Sequence, residues 1–408
     1  MKLSKHKLGE LIEVTRGASL SGQFYAEEGE FVRLTLGNFN MNGGGFKENT
    51  SKTDLYYTGT VKDEFILNKD DIITPLTEQS LGLLGTTARI PESGKYIQSQ
   101  DVALVKCKKG LLDPNFCYYL ISSSVVRQQL SAGAQQTKIR HTSPDKIKDC
   151  TVWIPELEVQ KRIGRILSDI DEKIALNRQI NDNLEAMAKQ LYDYWFVQFD
   201  FPNEEGKPYK SSGGAMVWNE KLKREIPQGW NDCKIKDFMR IFTGKKDVSK
   251  AVPGNYKFFS CAPEPISSNE YIYDGYAVLV SGNGSYTGRV GFYKGKFDLY
   301  QRTYACVLDE DEHNISFFYY TLRYLFQPIY SGGKHGSSIP YIVLGDLADF
   351  CFAFNETICT KFVDATKPMF DEQLLRQKEI EALTKQRDEL LPLLMNGQAS
   401  VNYHLSAD

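Results

Sequence analysis

The sequence repeats itself once, at a separation of 200 residues. Residues 131–150 align without a gap on residues 331–350, and each copy leads into a long stretch with helical periodicity. The matched pairs are Ser131/Ser331, Gly133/Gly333, Ile139/Ile339, Ile147/Leu347 and Asp149/Asp349. The chain order is therefore globular unit, helix, globular unit, helix. Two similar modules at a fixed separation suit the binding of something that itself repeats, and a DNA duplex is the obvious candidate.

The repeat extends beyond this block. The opening of each copy, residues 7–17 and 234–244, is amphipathic and ends on a glycine able to take positive φ. Short β-branched and aromatic runs then alternate with Gly, Ser and Asn clusters, which predicts short strands joined by exposed loops. Phe-Tyr segments in both copies predict a single helix packed on each core. We expect two similar α+β units, each with a strand-rich core.

The connecting segment has the pattern of a coiled coil. From Ile163 onward, seam positions step alternately by four and three residues for more than four heptads. The seam consists of Ile163, Leu167, Ile170, Ile174, Asn177, Asn181, Leu184, Ala188, Leu191 and Trp195. A second seam has the same register over a shorter span, at Ile380, Leu383, Arg387, Leu390 and Leu394. Its polar members, like Asn177 and Asn181, can fix which partner and register a helix adopts.

The first helix is longer than one small domain can cover. A helix of about 35 residues is about 50 Å long. We therefore expect the two helices to pair antiparallel, although each could instead cap its own domain. Pro392 is expected to bend the last turn of the second helix. The expected domains are residues 1–155 and 201–355, with helical spacer regions at 156–200 and 356–408.

Composition gives mixed indications about nucleic acid. The formal net charge is −3, whereas affinity for DNA depends on Lys and Arg neutralising phosphates. However, residues 231–257 carry seven basic side chains against three acidic ones, and residues 131–150 carry four against two. Eight cysteines without a C-x-x-C pair, together with five histidines, predict no metal site. The N-terminus lacks an apolar run and no apolar stretch is of membrane length, so we expect a cytoplasmic protein.

Motifs for catalysis are missing. The sequence has no Pro-Pro dipeptide, no G-x-x-x-x-G-K-[ST] loop and no G-x-S-x-G elbow, which disfavours a DNA methyltransferase, a P-loop ATPase and an α/β-hydrolase. Pro144-Asp145 followed by Asp171-Glu172-Lys173 matches a loose nuclease pattern. Asp171 and Lys173 lie two residues apart in a predicted helix and so point to different faces. We interpret the match as accidental and predict no catalytic residues.

Four motifs resemble those of one family. The segment after Pro155 contains E-x-Q-x-x-I, D-x-K-I-x-L-N and W-F-V-x-F in this order, and residues 376–398 contain R-D-x-L-L-P-x-L-M-x-G. These motifs resemble the central and distal helical regions of type I restriction-modification specificity subunits, and the resemblance covers essentially the whole chain. The second copy departs from the first, with Asn355 in place of Pro155 and a proline only later, at Pro368.

The resemblance implies a non-enzymatic DNA reader. Each globular unit would be a target-recognition domain for one half of a bipartite site, and the helices would be a ruler between them. The helices would also dock two methyltransferase subunits, joined by two ATP-dependent restriction and translocation subunits. S-adenosylmethionine, ATP and Mg would be used by these partners, and no cofactor by this chain. The alternatives are a self-contained methyltransferase or nuclease, and a coiled-coil scaffold with no role in nucleic-acid binding.

The residues that read bases are expected in loops. Gln and Asn side chains pair with adenine and Arg or Lys with guanine in the major groove, while other groups hold phosphates. For each candidate, an ordinary exposed loop position is the open alternative. The candidates in the first domain are Gln79, Ser80, Gln135, Gln136, Thr137, Lys138 and Arg140. Those in the second are Lys245, Lys246, Asn283, Ser285, Tyr286, Arg289, Lys334, His335 and Ser337.

Overall fold

The computed structural model describes residues 2–40, 44–78, 82–133, 140–309, 312–335 and 338–399. The chain divides into two compact units. Unit 1 contains residues 1–178 and 377–408, and unit 2 contains residues 179–376. Both divisions fall inside long helices, α5 (Leu157–Tyr192) and α9 (Glu356–Met395). Each unit therefore includes a part of both helices.

Unit 1 is built on a four-stranded antiparallel sheet with the order β2-β10-β6-β8. Two further sheets are strand pairs, β1 with β12 and β11 with β7. The short strands β3, β5, β4 and β9 form a second four-stranded sheet in the order β3-β5-β4-β9. Its strands are β1 (Ser4–Lys7), β2 (Ile12–Arg16), β3 (Tyr25–Ala26), β4 (Phe31–Arg33), β5 (Tyr56–Tyr57), β6 (Ile72–Pro75), β7 (Thr77–Glu78), β8 (Ala88–Arg89), β9 (Tyr96–Ile97), β10 (Val102–Cys107), β11 (Arg140–His141) and β12 (Thr151–Ile154). Its short helices are α1 (Leu8–Leu11), α2 (Pro114–Ser122), α3 (Ser124–Gly133) and α4 (Pro144–Lys148).

Unit 2 is built on a six-stranded sheet with the order β16-β21-β19-β20-β17-β18. Two antiparallel two-stranded sheets accompany it, the hairpin β13-β14 and the long-range pair β15-β22. Its strands are β13 (Met216–Asn219), β14 (Arg224–Pro227), β15 (Asn231–Lys234), β16 (Arg240–Thr243), β17 (Tyr256–Phe259), β18 (Ile266–Ser268), β19 (Tyr273–Ser281), β20 (Val290–Leu299), β21 (Thr303–Val307) and β22 (Cys351–Phe354). Its short helices are α6 (Ile315–Thr321), α7 (Gln327–Tyr330) and α8 (Leu344–Ala348).

The two units share one topology, which confirms the predicted repeat of α+β modules. The pair β1-β12 corresponds to β15-β22, and β2-β10-β6 corresponds to β16-β21-β19. The separation of 200 residues is kept from α4 and β12 to α8 and β22. In each unit the last strand leads directly into a long helix. The Phe-Tyr segments form α2 in unit 1 and α6 in unit 2, as predicted.

The glycines that end the two openings serve a different purpose from the one expected. Neither Gly17 nor Gly244 adopts a positive φ. Instead, a Cβ on Gly17 would lie 2.2 Å from the carbonyl oxygen of Gln98, and one on Gly244 would lie 1.5 Å from that of Leu299. The expectation of positive φ is therefore wrong. A glycine is required here because the backbone passes too close for any side chain.

The long helices pair antiparallel within each unit. In unit 1, Asp171 contacts Arg387 while Asn177 contacts Glu379. In unit 2 the ring of Tyr192 lies 5.8 Å from that of Phe362. All the seam positions named above are buried or half-buried. The fold class predicted from the repeat and the seams is confirmed.

Both helix ends differ in detail from a regular seam. Helix α5 ends at Tyr192, so Trp195 lies in a π-helical turn, Asp193–Val197, and remains buried. Helix α9 is longer than its seam predicts, with 40 residues against 36 in α5. Its first half buries Phe362 and Phe370 in the aromatic core of unit 2. In the described part of the chain no helix is long and apolar enough to span a membrane.

Candidate functional site

In each unit, two loops meet beside the central sheet through backbone hydrogen bonds. In unit 1, β7 pairs with β11, and the Thr142 amide donates to the Leu76 carbonyl at 2.8 Å. In unit 2, the Ile342 amide donates to the Gly282 carbonyl at 2.9 Å, and the Gly284 amide to the Pro340 carbonyl at 2.9 Å. We call these regions the paired-loop surfaces, which comprise residues 76–78, 82–86, 131–133 and 140–143 in unit 1 and residues 281–289, 331–335 and 338–343 in unit 2. The surface of unit 1 contains the candidate Arg140, and that of unit 2 contains the candidates Asn283, Ser285, Tyr286, Arg289, Lys334 and His335.

Glu78 organises the paired-loop surface of unit 1. Its side chain is 2% exposed. Its Oε2 accepts hydrogen bonds from the amides of Gly82, Leu83 and Leu84 at 3.1, 2.9 and 3.0 Å. Its Oε1 lies 3.1 Å from Nη1 of Arg140. A lone glutamate carries no motif, so sequence reasoning missed it; only the fold brings the loop amides to this carboxylate.

Arg140 holds the two loops of unit 1 together. Besides its ion pair with Glu78, its guanidinium donates to the carbonyl and the hydroxyl oxygens of Ser131. Arg140 thus lies on the paired-loop surface of unit 1, but its guanidinium is bound by groups of the protein itself. The other candidates of the first domain lie outside the described residues. They are Gln79, Ser80, Gln135, Gln136, Thr137 and Lys138.

Thr287 fixes the paired-loop surface of unit 2. The buried hydroxyl of Thr287 lies 2.7 Å from the carbonyl oxygen of Gly284 and 2.9 Å from that of Pro340, and it can donate its proton to either. Next to it, Gly288 has a φ of 81°, and a Cβ there would lie 2.4 Å from the Tyr330 carbonyl oxygen. The two loops are therefore held at a close and defined approach. Asn283 takes part through a backbone bridge to Tyr341.

Several side chains of this surface face solvent. Ser285 and Lys334 are exposed, and the rings of Tyr286 and Tyr341 are 48% and 41% exposed. Tyrosine and serine hydroxyls are among the groups that hydrogen-bond the phosphates and sugars of duplex DNA. Tyr341 was missed because nothing in its local sequence distinguishes it. Ser337, the remaining candidate of this loop, lies outside the described residues.

Arg289 and His335 are tied to neighbouring segments. The Arg289 fork donates to the carbonyls of Pro263, at 3.2 Å, and Ala262, at 2.6 Å. Burial lowers the pKa of this guanidinium. His335 Nε2 lies 3.1 Å from Oδ2 of Asp346. Both side chains therefore support the loops, whatever else they contact.

The basic run of residues 231–257 is largely neutralised by acids from elsewhere in unit 2. Lys234 and Lys236 lie 2.9 and 2.7 Å from the Asp349 carboxylate, and these lysines lower the pKa of Asp349 to about 2. Arg240 pairs with Asp309 at 2.8 Å. The candidate Lys246 pairs with Asp298 at 3.2 Å and with Glu270. The candidate Lys245 is exposed. The local surplus of charge is thus a feature of the sequence and not of the folded surface.

The residues of the nuclease-like pattern make structural contacts. Asp171 binds Arg387 at 2.8 Å, and Lys173 lies 2.5 Å from Glu379. The carboxylate of Asp145 pairs instead with Lys148 at 2.7 Å. Within the described ranges no three potential ligands gather where they could hold a metal ion.

Comparisons with known proteins agree with the resemblance. The family model described as the type I restriction modification DNA specificity domain matches residues 2–186 and 227–353. The MjaIX type I restriction enzyme specificity subunit of Methanocaldococcus jannaschii is 25% identical over 324 residues, covering 72% of this chain and 71% of that protein. The EcoDI specificity subunit of Escherichia coli is 32% identical over 180 residues, covering 43% and 39%.

One solved structure is similar over nearly the full length. It is the S subunit of a type I restriction-modification system from M. genitalium, and it covers 97% of this chain and 96% of that chain. The TM-score is 0.59 and the sequence identity is 17%. At this identity the likeness shows the fold alone, with its two sheet-based modules and long helices.

Proposed function

Because the chain belongs to the type I restriction modification DNA specificity family, we propose that it is the non-catalytic subunit that reads a bipartite DNA site for a type I complex. Each paired-loop surface would contact one half-site, and the paired helices would set the number of unread base pairs between them. The observation that carries this proposal is the recurrence of one loop pairing in both units, Thr142 to Leu76 and Ile342 to Gly282. One protein that presents two such surfaces matches a site with two halves.

The exposed side chains of the second surface suit direct readout. Ser285 and Lys334 could contact base edges or phosphates, whereas half-buried Asn283 accepts a hydrogen bond on its Oδ1 from the Cys261 thiol at 3.1 Å. Arg140, Arg289 and Lys246 are held by protein partners, so we assign them to loop positioning ahead of base contact. The loops of the two units differ in sequence, so their half-sites should also differ.

The helices are the proposed dock for partner subunits. Apolar side chains remain exposed on both of them, among them Leu176, Met187, Leu375 and Leu393. Exposed apolar side chains mark an interaction surface only where they form a contiguous patch, so we base this dock on membership of the family. We propose that two methyltransferase subunits bind there and that two restriction subunits complete the complex. S-adenosylmethionine, ATP and Mg would act in those partners, in the cytoplasm.

The test is a methylation assay with and without the partners. The purified chain alone should transfer no methyl group from labelled S-adenosylmethionine to DNA. The chain with its methyltransferase subunits should methylate one bipartite motif and protect two separate patches in a footprint. Methyl transfer by the chain alone would favour a self-contained methyltransferase. Absence of any footprint from the assembled complex would favour a scaffold.

A further inference from the structure

A carboxylate on α5 joins three elements in unit 1. Asp171 Oδ2 accepts a hydrogen bond from the Tyr119 hydroxyl of α2 at 2.7 Å. Asp171 Oδ1 accepts from Arg387 Nη1 of α9 at 2.8 Å. The Arg387 side chain is 10% exposed, and that of Asp171 is 29% exposed. One side chain thus connects the globular part of unit 1 to both long helices.

A second carboxylate on the same helix has the same role in unit 2. Glu185 Oε1 accepts from the hydroxyls of Tyr324, at 2.6 Å, and Tyr319, at 3.2 Å. Glu185 Oε2 accepts from Gln373 Nε2 of α9 at 3.2 Å. Tyr319 belongs to α6, and Tyr324 to the π-helical turn that follows it. The partners are again the Phe-Tyr segment of the globular part and a polar residue of α9.

We call each of these carboxylates, together with its hydrogen-bond partners, a joint. The two joints have the same spacing on both helices. Asp171 and Glu185 are fourteen residues apart, and so are Gln373 and Arg387. Fourteen residues are two heptads, so both carboxylates occupy the same heptad position. The arrangement also joins two of the motifs noted in the sequence, since Asp171 begins D-x-K-I-x-L-N and Arg387 begins R-D-x-L-L-P. Neither motif suggested by itself that it contacts the other.

Hydrogen bonds of this kind fix the relative position of the elements they join more than they stabilise the folded state. Apolar seam layers specify register weakly, and the polar seam residue Asn177, which donates to Glu379 at 2.9 Å, already adds one directed contact. A directed hydrogen bond specifies position more strongly, since it weakens steeply with distance and angle. A buried ion pair adds little net stability compared with apolar packing. Burial and the nearby Asp171 raise the pKa of Tyr119, so its hydroxyl remains a donor.

We propose that Asp171 and Glu185 are positioning residues that fix the orientation of each recognition domain on the helix pair and so select the length of the DNA spacer. This inference rests on the proposed function. Removing a joint would leave the base-reading loops unchanged, because none of the joint residues belongs to the paired-loop surfaces. The domain, still anchored by its apolar contacts with both helices, could then adopt more than one orientation, and spacers other than the native one would be accepted.

The test compares spacers in one methylation assay. The motif is first read from the methylome of cells that express the complex. The assembled methyltransferase is then given duplexes with both half-sites and spacers from two base pairs shorter to two longer than native. The variants are Asp171→Asn, Tyr119→Phe and the double variant Tyr319→Phe with Tyr324→Phe. The controls are Tyr118→Phe, the neighbouring ring on α2, and Tyr320→Phe, whose buried hydroxyl has no partner among the described residues.

We expect each joint variant to reduce the preference for the native spacer at least five-fold, with the bases of both half-sites unchanged. The two controls should keep the wild-type preference. A parallel loss of methylation on all spacers, with their ratio unchanged, would overturn the inference in favour of a purely structural role. Unchanged behaviour of all variants would overturn it as well. If Asp171→Asn does not fold, the spacer preference of Tyr119→Phe decides whether the joint of unit 1 selects the spacer. A wild-type complex without any bipartite site would instead refute the proposed function.

Discussion

At the scale of single residues, the motif glutamine Gln160 ties α5 to the start of α2. It is 2% exposed, its Oε1 accepts from the Asp113 amide at 3.0 Å, and its Nε2 donates to the Pro155 carbonyl at 2.9 Å. Gln160→Ala would leave both backbone groups without this partner, at a cost of about 1–3 kcal/mol in the free energy of unfolding. Chemical denaturation measures it. The exposed motif residue Glu158 is the control, and Glu158→Ala should leave the free energy of unfolding close to the wild-type value. Equal losses in both variants would contradict this assignment.

Asp349 provides a pH-dependent test at the same scale. Lys236 and Lys234 hold its folded-state pKa at about 2, below the ordinary value of 3.8. The contribution of this carboxylate to stability is therefore present above pH 3.8 and is lost as the pH falls toward 2. The variant Lys236→Met should raise the Asp349 pKa in a carboxyl-resolved NMR titration. A titration curve identical to wild type would show that the lysine is not its partner in solution.

At the scale of elements, α5 carries a glycine that local propensity does not explain. Alanine is favoured over glycine in a helix by about 1 kcal/mol. A Cβ on Gly164, however, would lie 2.7 Å from the Phe116 amide nitrogen and 2.8 Å from Asn115 Cβ. We expect Gly164→Ala to destabilise unit 1 by about 1–3 kcal/mol, because α2 must move away. Thermal unfolding measures the effect.

The helix α8 offers a matched control. A Cβ on Gly345 would meet only the Asp349 carboxylate, at 4.0 Å. Gly345→Ala should therefore be neutral or stabilising, since it gains helix propensity without a clash. If both alanine variants shifted the melting temperature in the same direction, close approach would not be the reason for Gly164.

At the scale of the whole molecule, the proposed ruler needs matched lengths in both helices. Seven residues inserted after Asn181 of α5 lengthen only one partner. The contacts of Asn177 with Glu379 and of Glu185 with Gln373 place the corresponding point in α9 after Arg376. One heptad in each helix adds about 10 Å, or about three base pairs at 3.4 Å each. Methylome sequencing should show a spacer longer by about that amount, with unchanged half-sites.

The single insertions are the controls for this experiment. An insertion in α5 alone, or in α9 alone, leaves seven residues without a partner and should lower both stability and methylation. An unchanged spacer in the double insertion would count against the ruler. A changed half-site would show that the insertion had disturbed a recognition domain.

The sequence by itself determined the repeat, the helix pair and the seam, because these depend on patterns within one stretch of chain. A step of three and four residues indicates one helical face wherever it occurs, and every seam position is indeed buried or half-buried. The separation of 200 residues predicted two modules of one topology, which the strand orders confirm.

Only the tertiary structure decided which polar side chains already have an ion-pair or hydrogen-bond partner within the protein. Arg140, Lys246 and the lysines near residue 235 appeared available because their acidic partners, Glu78, Asp298 and Asp349, are distant in sequence. The same holds for Asp171, whose partners Tyr119 and Arg387 come from different segments. A charge or hydrogen bond is satisfied by whatever the fold brings within about 3 Å, and a one-dimensional pattern does not contain that distance.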